Sequence, residues 1–400
     1  MIRLALASLR SRAVVACLTA LSIALSVFLL VAVEKVREGA RGSLAASVAG
    51  TDLIVGAPTS DVALLLHTVF GIGEPTRPIP ADTAERLSRL RQVAWAVPIS
   101  LGDGHRGDRV VGTVPAYFDH VTDRRRRPLR AALGRVFAQG REVVIGADVA
   151  ARHGYAPGAA IVLAHGAGAL DFSGRHADQP FAVVGVLAPT GTPVDRSLFV
   201  PLAALDALHA GESDARIETI TAVLVGLRSP RAAFLVQRAL NGDESLDVSA
   251  VMPGFALARL WSVLGRAEGA LMAISWLVVA VSCVALAVAI LASLDGRRRE
   301  MAVLRAAGAG PLDILALLFF EAAIVVAAGL AAGLAAAYGG LALLGPWLET
   351  RLSIPFALAP PSPREVGLLA IVAAAALVAS ALPAWRAYRT SLADGLNVRA

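Results

Sequence analysis

The chain has 400 residues, of which 56% are hydrophobic and only 17% are charged. A soluble domain usually carries about a quarter charged residues, so the shortfall predicts long segments that lie in lipid. The formal net charge is +6, and Lys35 is the one lysine. A basic balance suggests nucleic acid or an anionic membrane surface, and the placement of the arginines favours the membrane, with no nucleic acid as partner. The two cysteines, Cys17 and Cys283, fall in apolar segments, which excludes a disulfide-stapled exported domain.

Four runs are long and apolar enough to cross a bilayer, which needs roughly 20 residues. The first, Ala13–Val33, lacks the small-residue cleavage site of a secretory signal, so we interpret it as a retained signal-anchor. Gly269–Leu294 carries no charge, Ile314–Leu344 carries only Glu321, and Val366–Trp385 carries none. Four spans place both termini on the same side of the membrane.

Arginines near the span ends indicate which side that is. The basic residues that precede the first span or follow the second and fourth are Arg3, Arg10, Arg12, Arg297, Arg298, Arg299, Arg305, Arg386 and Arg389. The loop between the third and fourth spans holds Arg351 and Arg364, which are offset by Glu349 and Glu365. The positive-inside rule therefore predicts cytoplasmic termini in a bacterial inner membrane. The long stretch from Glu34 to Glu268 is then outside.

The outer stretch has the pattern of a mixed α/β domain. Short runs rich in β-branched residues predict strands at Thr51–Val55, Val93–Ile99, Arg109–Val114, Glu142–Ile145, Ala160–Leu163, Phe181–Leu187 and Ile217–Leu227. Apolar periodicity predicts short helices at Asp82–Gln92, Asp148–His153, Leu202–His209 and Pro230–Leu240. Thr190–Arg196 is predicted to be an ordered loop.

No sequence motif for energy conversion or hydrolysis accompanies these segments. A P-loop needs Gly-Lys before Ser or Thr, and Lys35 follows Glu34. The HExxH and GxSxG patterns are also missing from the sequence. The chain is therefore not predicted to be an enzyme or to bind a cofactor itself. If it belongs to an energised machine, ATP and Mg²⁺ bind on a separate polypeptide.

The segment after the second span reads Arg297-Arg-Arg-Glu-Met-Ala-Val-Leu-Arg-Ala-Ala-Gly-Ala-Gly-Pro311. Arg297 can pair with Glu300 at i,i+3, while Met301, Leu304 and Gly308 share one face. These features predict a short cytoplasmic helix that ends before Pro311. Taken alone, the segment is better explained as a positive-inside anchor followed by a turn.

This segment resembles the signature of the FtsX/MacB permease family, known as the type VII or mechanotransmission ABC permeases. Span three is similar as well, with Phe320-Glu321 followed by Gly329 and Gly333 as a GxxxG pair. The stretch Pro383–Leu396 resembles the proline-alanine-arginine ending of the family, although Leu392 and Gly395 stand where proline and alanine are expected. In the outer stretch, the resemblance to a MacB-like periplasmic core is carried by Ile145–Gly158, Ile161–Leu163 and Phe181–Leu187.

The resemblance implies a fold of four transmembrane helices with a large α/β (α+β) extracytoplasmic domain between helices 1 and 2. It implies a homodimer, or a heterodimer with a related permease, that binds a separate ABC ATPase subunit. The residues implied to couple to the ATPase are Arg297, Arg298, Arg299, Glu300, Met301, Leu304, Arg305 and Gly308. A periplasmic adaptor or substrate protein is a further partner that the family allows.

The function implied is export or extraction of a substrate through movement of the periplasmic domain. One alternative is a non-transporting, FtsX-like regulator of a periplasmic enzyme. Another is a membrane-anchored periplasmic sensor or metal-binding protein without an ATPase.

The predicted segments follow one another without gaps. From the N-terminus they are a cytoplasmic segment at 1–12, the first span at 13–33 and the periplasmic core at 34–268. The second span at 269–294, the coupling helix at 295–313, the third span at 314–344, a periplasmic loop at 345–365, the fourth span at 366–385 and a cytoplasmic tail at 386–400 follow. Residues 269–390 form the predicted FtsX-like permease domain.

Polar residues in unusual places give the remaining candidates. Glu321 lies about 15 Å along its helix from Pro311, roughly half the bilayer, so we expect a polar contact in an intramembrane interface rather than a protonated or snorkelling side chain. Gly329 and Gly333 permit a close helix contact at such an interface. Arg124–Arg127 is interpreted as a solvated loop.

Histidines occur only in the outer stretch, at His67, His105, His120, His153, His165, His176 and His209. No pair shows the spacing of metal ligands, so no metal site is predicted. His176 with Asp178 is the weak candidate.

Overall fold

The computed structural model describes residues 12–74, 76–138, 140–165, 179–210, 218–296, 306, 308–352 and 360–393. The chain forms two compact units. The membrane unit comprises Met1–Glu38, Arg266–Trp347 and Phe356–Ala400, and the outer unit comprises Gly39–Gly265 and Leu348–Pro355.

Within the described residues, four helices are long and apolar enough to cross a membrane. They are α1 (Ala13–Ser47), α8 (Pro253–Gly296), α9 (Pro311–Leu352) and α10 (Pro363–Ala393). The last three begin at a proline, which lacks the N–H that a first helical turn leaves unpaired. Each helix is longer than the apolar run predicted within it.

Helix α10 also has a capping box at its start. The Ser362 N–H donates to Glu365 Oε2 at 2.9 Å, and the Glu365 N–H donates to Ser362 Oγ at 3.3 Å. Two backbone N–H groups at the start of the helix, those of Ser362 and Glu365, are thereby hydrogen-bonded. The capping role holds Glu365 at the N-terminal end of α10.

The outer unit contains thirteen strands and six short helices among its described residues. The strands are β1 (Leu53–Gly56), β2 (Ile79–Pro80), β3 (Val93–His105), β4 (Asp108–Thr113), β5 (Ala131–Gly134), β6 (Glu142–Ile145), β7 (Ala160–Ile161), β8 (Ala164–His165), β9 (Phe181–Leu187), β10 (Ser197–Pro201), β11 (Thr219–Ile220), β12 (Ala222–Leu227) and β13 (Ser249–Val251). The short α-helices are α2 (Asp61–Leu65), α3 (Asp82–Ser88), α4 (Tyr117–His120), α5 (Ala147–His153), α6 (Leu202–Ala210) and α7 (Ala233–Asn241).

Eleven strands form one mixed sheet in the order β13-β1-β12-β3-β4-β10-β6-β9-β5, with β7 beside β9 and β8 beside β3. The β4–β10 and β6–β9 pairs are parallel and the other pairs are antiparallel. Strands β2 and β11 pair separately. The order brings segments that are distant in the chain next to each other, as in the β1–β12 pair.

Both faces of the main sheet are covered by apolar side chains. Along β10, Phe199 belongs to one buried cluster, whereas Leu198 and Val200 belong to another on the opposite face. Along β1, Ile54 belongs to the same cluster as Phe199, whereas Leu53 and Val55 belong to a third cluster on the opposite face. Strands buried on both faces read as continuous apolar runs, which is why they stand out in the sequence.

The predicted fold class is confirmed, with corrections to individual elements. Strands β6 and β9 have the predicted bounds. The run predicted as one strand to Leu227 is divided at Thr221 into β11 and β12, because β11 pairs with β2 whereas β12 pairs with β1 and β3. Helix α3 ends at Ser88 rather than Gln92. The hydrogen bonds that follow are those of i,i+3 turns, from the Leu90 N–H to the Leu87 carbonyl and from the Val93 N–H to the Leu90 carbonyl.

Candidate functional site

The predicted coupling residues Arg297–Arg299, Glu300, Met301, Leu304 and Arg305 lie outside the described residues. Gly308 is described, and its φ of +92° is a left-handed conformation that glycine adopts without strain. The Gly310 N–H then donates to Asp313 Oδ2 at 2.8 Å, which caps the first turn of α9. The turn that precedes α9 is therefore stabilised by the conformation of Gly308 and by the hydrogen bond to Asp313.

The two glycines of the GxxxG pair lie against α1 of the same chain. A Cβ at Gly329 would lie 2.7 Å from Ile23 Cβ and 2.9 Å from the Ala20 carbonyl oxygen. At Gly333 it would lie 2.5 Å from the Ala24 carbonyl oxygen. All three distances are shorter than real Cβ contacts, so only glycine lets α9 approach α1 this closely. The structure places this predicted interface pair inside one chain.

Replacing Gly333 with leucine should therefore separate α9 from α1. We expect a loss of about 1–3 kcal/mol or more, because backbone atoms of α1 obstruct the new side chain. The measurement is the thermal midpoint of the full chain in detergent. Gly339→Leu is the matched control in the same helix, since a Cβ there meets nothing within 4 Å. Equal midpoints for the two variants would contradict the close contact.

Three serines join α1 to α8 in the membrane unit. Ser22 Oγ and Ser26 Oγ lie 2.9 Å and 2.7 Å from Ser282 Oγ. Ser26 and Ser282 are buried. Small hydroxyl side chains satisfy one another between transmembrane helices and add to their association. The serines were not singled out in the sequence, since they carry no motif.

A buried ion pair and a tyrosine connect three membrane helices. Lys35 Nζ of α1 lies 3.1 Å from Glu365 Oε1 of α10, and their side chains are 5% and 1% exposed. The Tyr338 hydroxyl of α9 donates to Glu365 Oε2 at 3.2 Å. The Lys35 ammonium also lies 5.3 Å from the centre of the Tyr338 ring. The three side chains, named here the Lys35 cluster, hold α1, α9 and α10 together.

Sequence reasoning missed the Lys35 cluster, although two signals pointed to it. Lys35 is the only lysine of the chain and directly follows the first span. Glu365 was interpreted only as an offset to Arg364. In the structure Arg364 instead faces Glu34, at 3.5 Å, and Glu34 also pairs with Arg37.

Glu321 lies beside a cavity of the membrane unit rather than on a fully apolar face. The cavity is lined by apolar side chains of α1, α8 and α9, and Arg12 lines it together with Glu321. A carboxylate and a guanidinium thus border one cavity, which lowers the cost of a charge within a span. The expectation that Glu321 contacts another subunit stays a prediction.

Histidines of the outer unit take part in a polar cluster between β3, β4 and α5. His105 Nδ1 lies 2.7 Å from the Val162 carbonyl oxygen, and His105 Nε2 lies 2.9 Å from the Tyr155 hydroxyl. His153 Nε2 lies 2.9 Å from Asp108 Oδ2, and Arg152 pairs with the same carboxylate. Among the described residues, no three His, Cys, Asp or Glu side chains group as metal ligands. His176 and Asp178 lie outside those residues.

Two histidines of the outer unit, the buried His105 and the half-buried His67, should make this unit sensitive to acid. Burial lowers the pKa of His105 despite its bond to Val162, and burial together with the Arg109 charge lowers the pKa of His67. The unfolded chain then binds more protons just below pH 6.5, so stability falls as the pH drops through this value towards the folded pKa.

We expect the unfolding free energy to decrease from pH 7.5 to 5.5, by at most about 1.4 kcal/mol per pH unit for each histidine. His105→Gln should flatten this dependence. The measurement is urea unfolding of the full chain in detergent at each pH. An identical pH dependence in the variant would show that His105 does not contribute.

The tetra-arginine run forms an exposed turn organised by Asp123. Asp123 Oδ1 accepts the N–H groups of Arg125 and Arg127, at 2.8 and 2.9 Å, and Oδ2 pairs with the Arg127 guanidinium. Burial acts to raise the pKa of Asp123, but these bonds outweigh it and lower the pKa. The side chains of Arg124–Arg127 are exposed, as the predicted solvated loop requires.

Two family models match the chain in succession. The MacB-like periplasmic core domain matches residues 16–243, more than half of the chain, and the FtsX-like permease C-terminal region matches residues 272–392. No curated protein matches.

Solved structures of outer domains are similar to this chain. For the periplasmic region of MacB from Actinobacillus actinomycetemcomitans, the identity is 14% and the TM-score 0.37, over 56% of this chain and 97% of that one. For the extracellular domain of the noncanonic ABC-type transporter YknZ from Gram-positive bacteria, the identity is 15% and the TM-score 0.33, over 50% and 99%.

Proposed function

Because this chain belongs to the family of FtsX-like permeases with a MacB-like periplasmic core domain, we propose that it couples ATP hydrolysis by a separate subunit to movement of its outer domain. This movement serves export or extraction of a substrate. The observation that carries the proposal is the order of the two matched regions, in which the core domain precedes the FtsX-like region.

The helices of the structure support this proposal. Four of them, within the described residues, can cross a membrane, and the outer strands are inserted between the first and the second. Helices α1 and α8 each continue without a break from the membrane unit into the sequence of the outer unit. A continuous helix transmits a displacement along its axis better than a loop does, which suits mechanical coupling.

In this proposal both termini face the cytoplasm, because the arginines cluster at those span ends. The ATPase contacts the segment between α8 and α9, where Met301 and Leu304 supply apolar anchors. The chain itself performs no hydrolysis and binds no cofactor. Two copies, or one copy with a related permease, bring two ATPase subunits together. ATP can bias the movement only if the two conformations differ in their affinity for the ATPase.

Purification of the full chain from its native membranes in mild detergent tests the proposal. We expect a P-loop ATPase to co-purify, and we expect its rate of ATP hydrolysis to depend on the presence of the chain. A periplasmic hydrolase bound with the ATPase would instead favour the non-transporting regulator. Recovery of the chain in its folded form without any ATP-hydrolysing subunit, also after crosslinking in cells, would contradict the proposal.

A further inference from the structure

A small cavity in the outer unit lies between the end of α1, the turn that follows α2, and the main sheet. It measures about 30 Å³, counted as the space open to the centre of a water molecule. One water needs roughly 10–15 Å³ on that measure, so the cavity has room for about two or three water molecules or for a small organic group of similar size. Its lining is apolar on the sheet side, where Ile54, Val111 and Leu224 contribute.

The polar part of the lining is centred on Arg109 of β4. The Arg109 Nε–H donates to Ser197 Oγ at 2.8 Å, and the Ser197 hydroxyl donates to the Pro193 carbonyl at 2.9 Å. This chain fixes the orientation of the guanidinium. Arg109 Nη1 is buried and has no hydrogen-bond partner within the described part of the chain.

The charge of Arg109 has no counter-ion among the described residues. Within the described part of the chain Arg109 forms no salt bridge, and the cavity lining contains no aspartate or glutamate. Burial lowers the pKa of the nearby His67, and the charge of Arg109 lowers it further. A buried cation without a carboxylate is costly, because burial disfavours the charged form.

Two hydroxyl groups complete the set of donors around the cavity. Thr68 is 4% exposed, and its Oγ1 has no hydrogen-bond partner in the described residues. Tyr117 lines the same cavity, and burial raises the pKa of its hydroxyl to about 12. The Tyr117 hydroxyl is therefore neutral and able to donate. An unsatisfied buried donor costs free energy that a suitable acceptor restores.

The turn that contains Thr68 leaves space for the Arg109 side chain beside Gly71. Leu66–Phe70 forms a single π-helical turn, a feature frequent at functional sites. It ends at Gly71, whose φ is +65°. A Cβ at Gly71 would lie 2.9 Å from Arg109 Cδ, so a larger residue would displace the guanidinium.

We propose that this cavity binds the carboxylate group of a small molecule, held by Arg109, Thr68 and Tyr117. All three side chains offer donors, and the single charge matches a monoanion. A guanidinium presents paired donors in the geometry that a carboxylate accepts. The apolar sheet side accommodates a short aliphatic remainder. The bound group connects the segment at Ser47–Thr51, the turn at Thr68 and the loop at Thr192–Val194, which all line the cavity.

Acetate is the probe for a direct test with the full chain in nanodiscs. Hydrogen–deuterium exchange of the peptides that cover residues 64–72 is followed against acetate concentration, with ionic strength held constant by chloride. We expect saturable protection of these peptides in the wild-type chain. Chloride alone, raised over the same range, should not produce it.

Variants separate the proposed contacts from general stabilisation. Thr68→Val and Tyr117→Phe each remove one hydroxyl with little change of shape, and we expect about fivefold to tenfold weaker acetate binding, as for the loss of one hydrogen bond. Arg109→Gln should abolish the protection, and Arg109→Lys should retain part of it. Thr76→Val is the matched control, because its hydroxyl is also buried without a partner but does not line the cavity.

Three outcomes would overturn the proposal. They are no effect of acetate on the wild-type chain, an equal effect of chloride, and unchanged acetate binding in both Thr68→Val and Tyr117→Phe. The hydroxyl variants keep the test decisive if Arg109→Gln fails to fold.

Discussion

A chain with Met301→Asp and Leu304→Asp should no longer co-purify with its ATPase or stimulate ATP hydrolysis. The two residues share one face of the predicted coupling helix and are its large apolar side chains there. Anchors of this kind dominate protein interfaces, and losing one typically costs about 2 kcal/mol or more. Two charges at the centre of such a contact should weaken binding by about a thousandfold or more, since every 1.4 kcal/mol is a factor of ten.

The same variant keeps every arginine and should insert into the membrane normally. The matched control is Arg298→Lys with Arg299→Lys, which preserves the charge that anchors the segment. It should leave membrane topology unchanged, and it should weaken coupling only if the guanidinium groups make specific contacts. Normal ATPase binding by the Met301, Leu304 variant would falsify the coupling assignment and leave only a positive-inside anchor.

Replacing Lys35 with methionine should strongly destabilise the membrane unit. Glu365 is 1% exposed, so its carboxylate would remain buried without the ammonium. Removal of one partner of a buried pair typically costs about 3–5 kcal/mol. We expect a correspondingly lower thermal midpoint of the full chain in detergent.

Two controls identify the cause of that loss. Lys35→Met combined with Glu365→Gln removes both charges and should recover a substantial part of the stability, because neither member of the pair is then left charged and without its partner. Arg89→Met breaks an exposed pair with Glu85, whose side chains are 74% and 68% exposed, and should cost less than about 1 kcal/mol. If Lys35→Met is no more destabilising than Arg89→Met, the Lys35 cluster does not hold the helices together.

Local patterns in the sequence were sufficient for the membrane helices and for most outer strands. A bilayer demands a long uncharged run, and a strand buried on both faces demands a continuous apolar run, so both leave a readable signal. The elements that were missed are strands β2, β5, β8, β10 and β13 and helices α2 and α4. In β10, Ser197 and Pro201 flank a short apolar core, and strand position there depends on pairing with β4 and β6.

The candidate contacts depended far more on tertiary structure. The GxxxG motif showed that α9 could pack closely, but hydropathy does not say which helix it meets, and the structure shows α1. The sequence placed Glu321 at membrane depth, whereas only the packing of α1 against α9 brings Arg12 to the same cavity. The assignment of the predicted coupling residues other than Gly308 depends on sequence and family alone, since those residues lie outside the described part of the chain.

The sequence by itself determined the number of spans, the class of the outer domain and the family, because hydrophobic runs and ordered motifs are local properties of the chain. Only the tertiary structure decided the partners of isolated polar groups. Lys35 and Glu365 are far apart in the chain, as are Arg109 and Ser197, and each side chain alone is consistent with a solvated surface. Helix packing and strand order bring them together, and burial then makes the presence or absence of a partner energetically decisive.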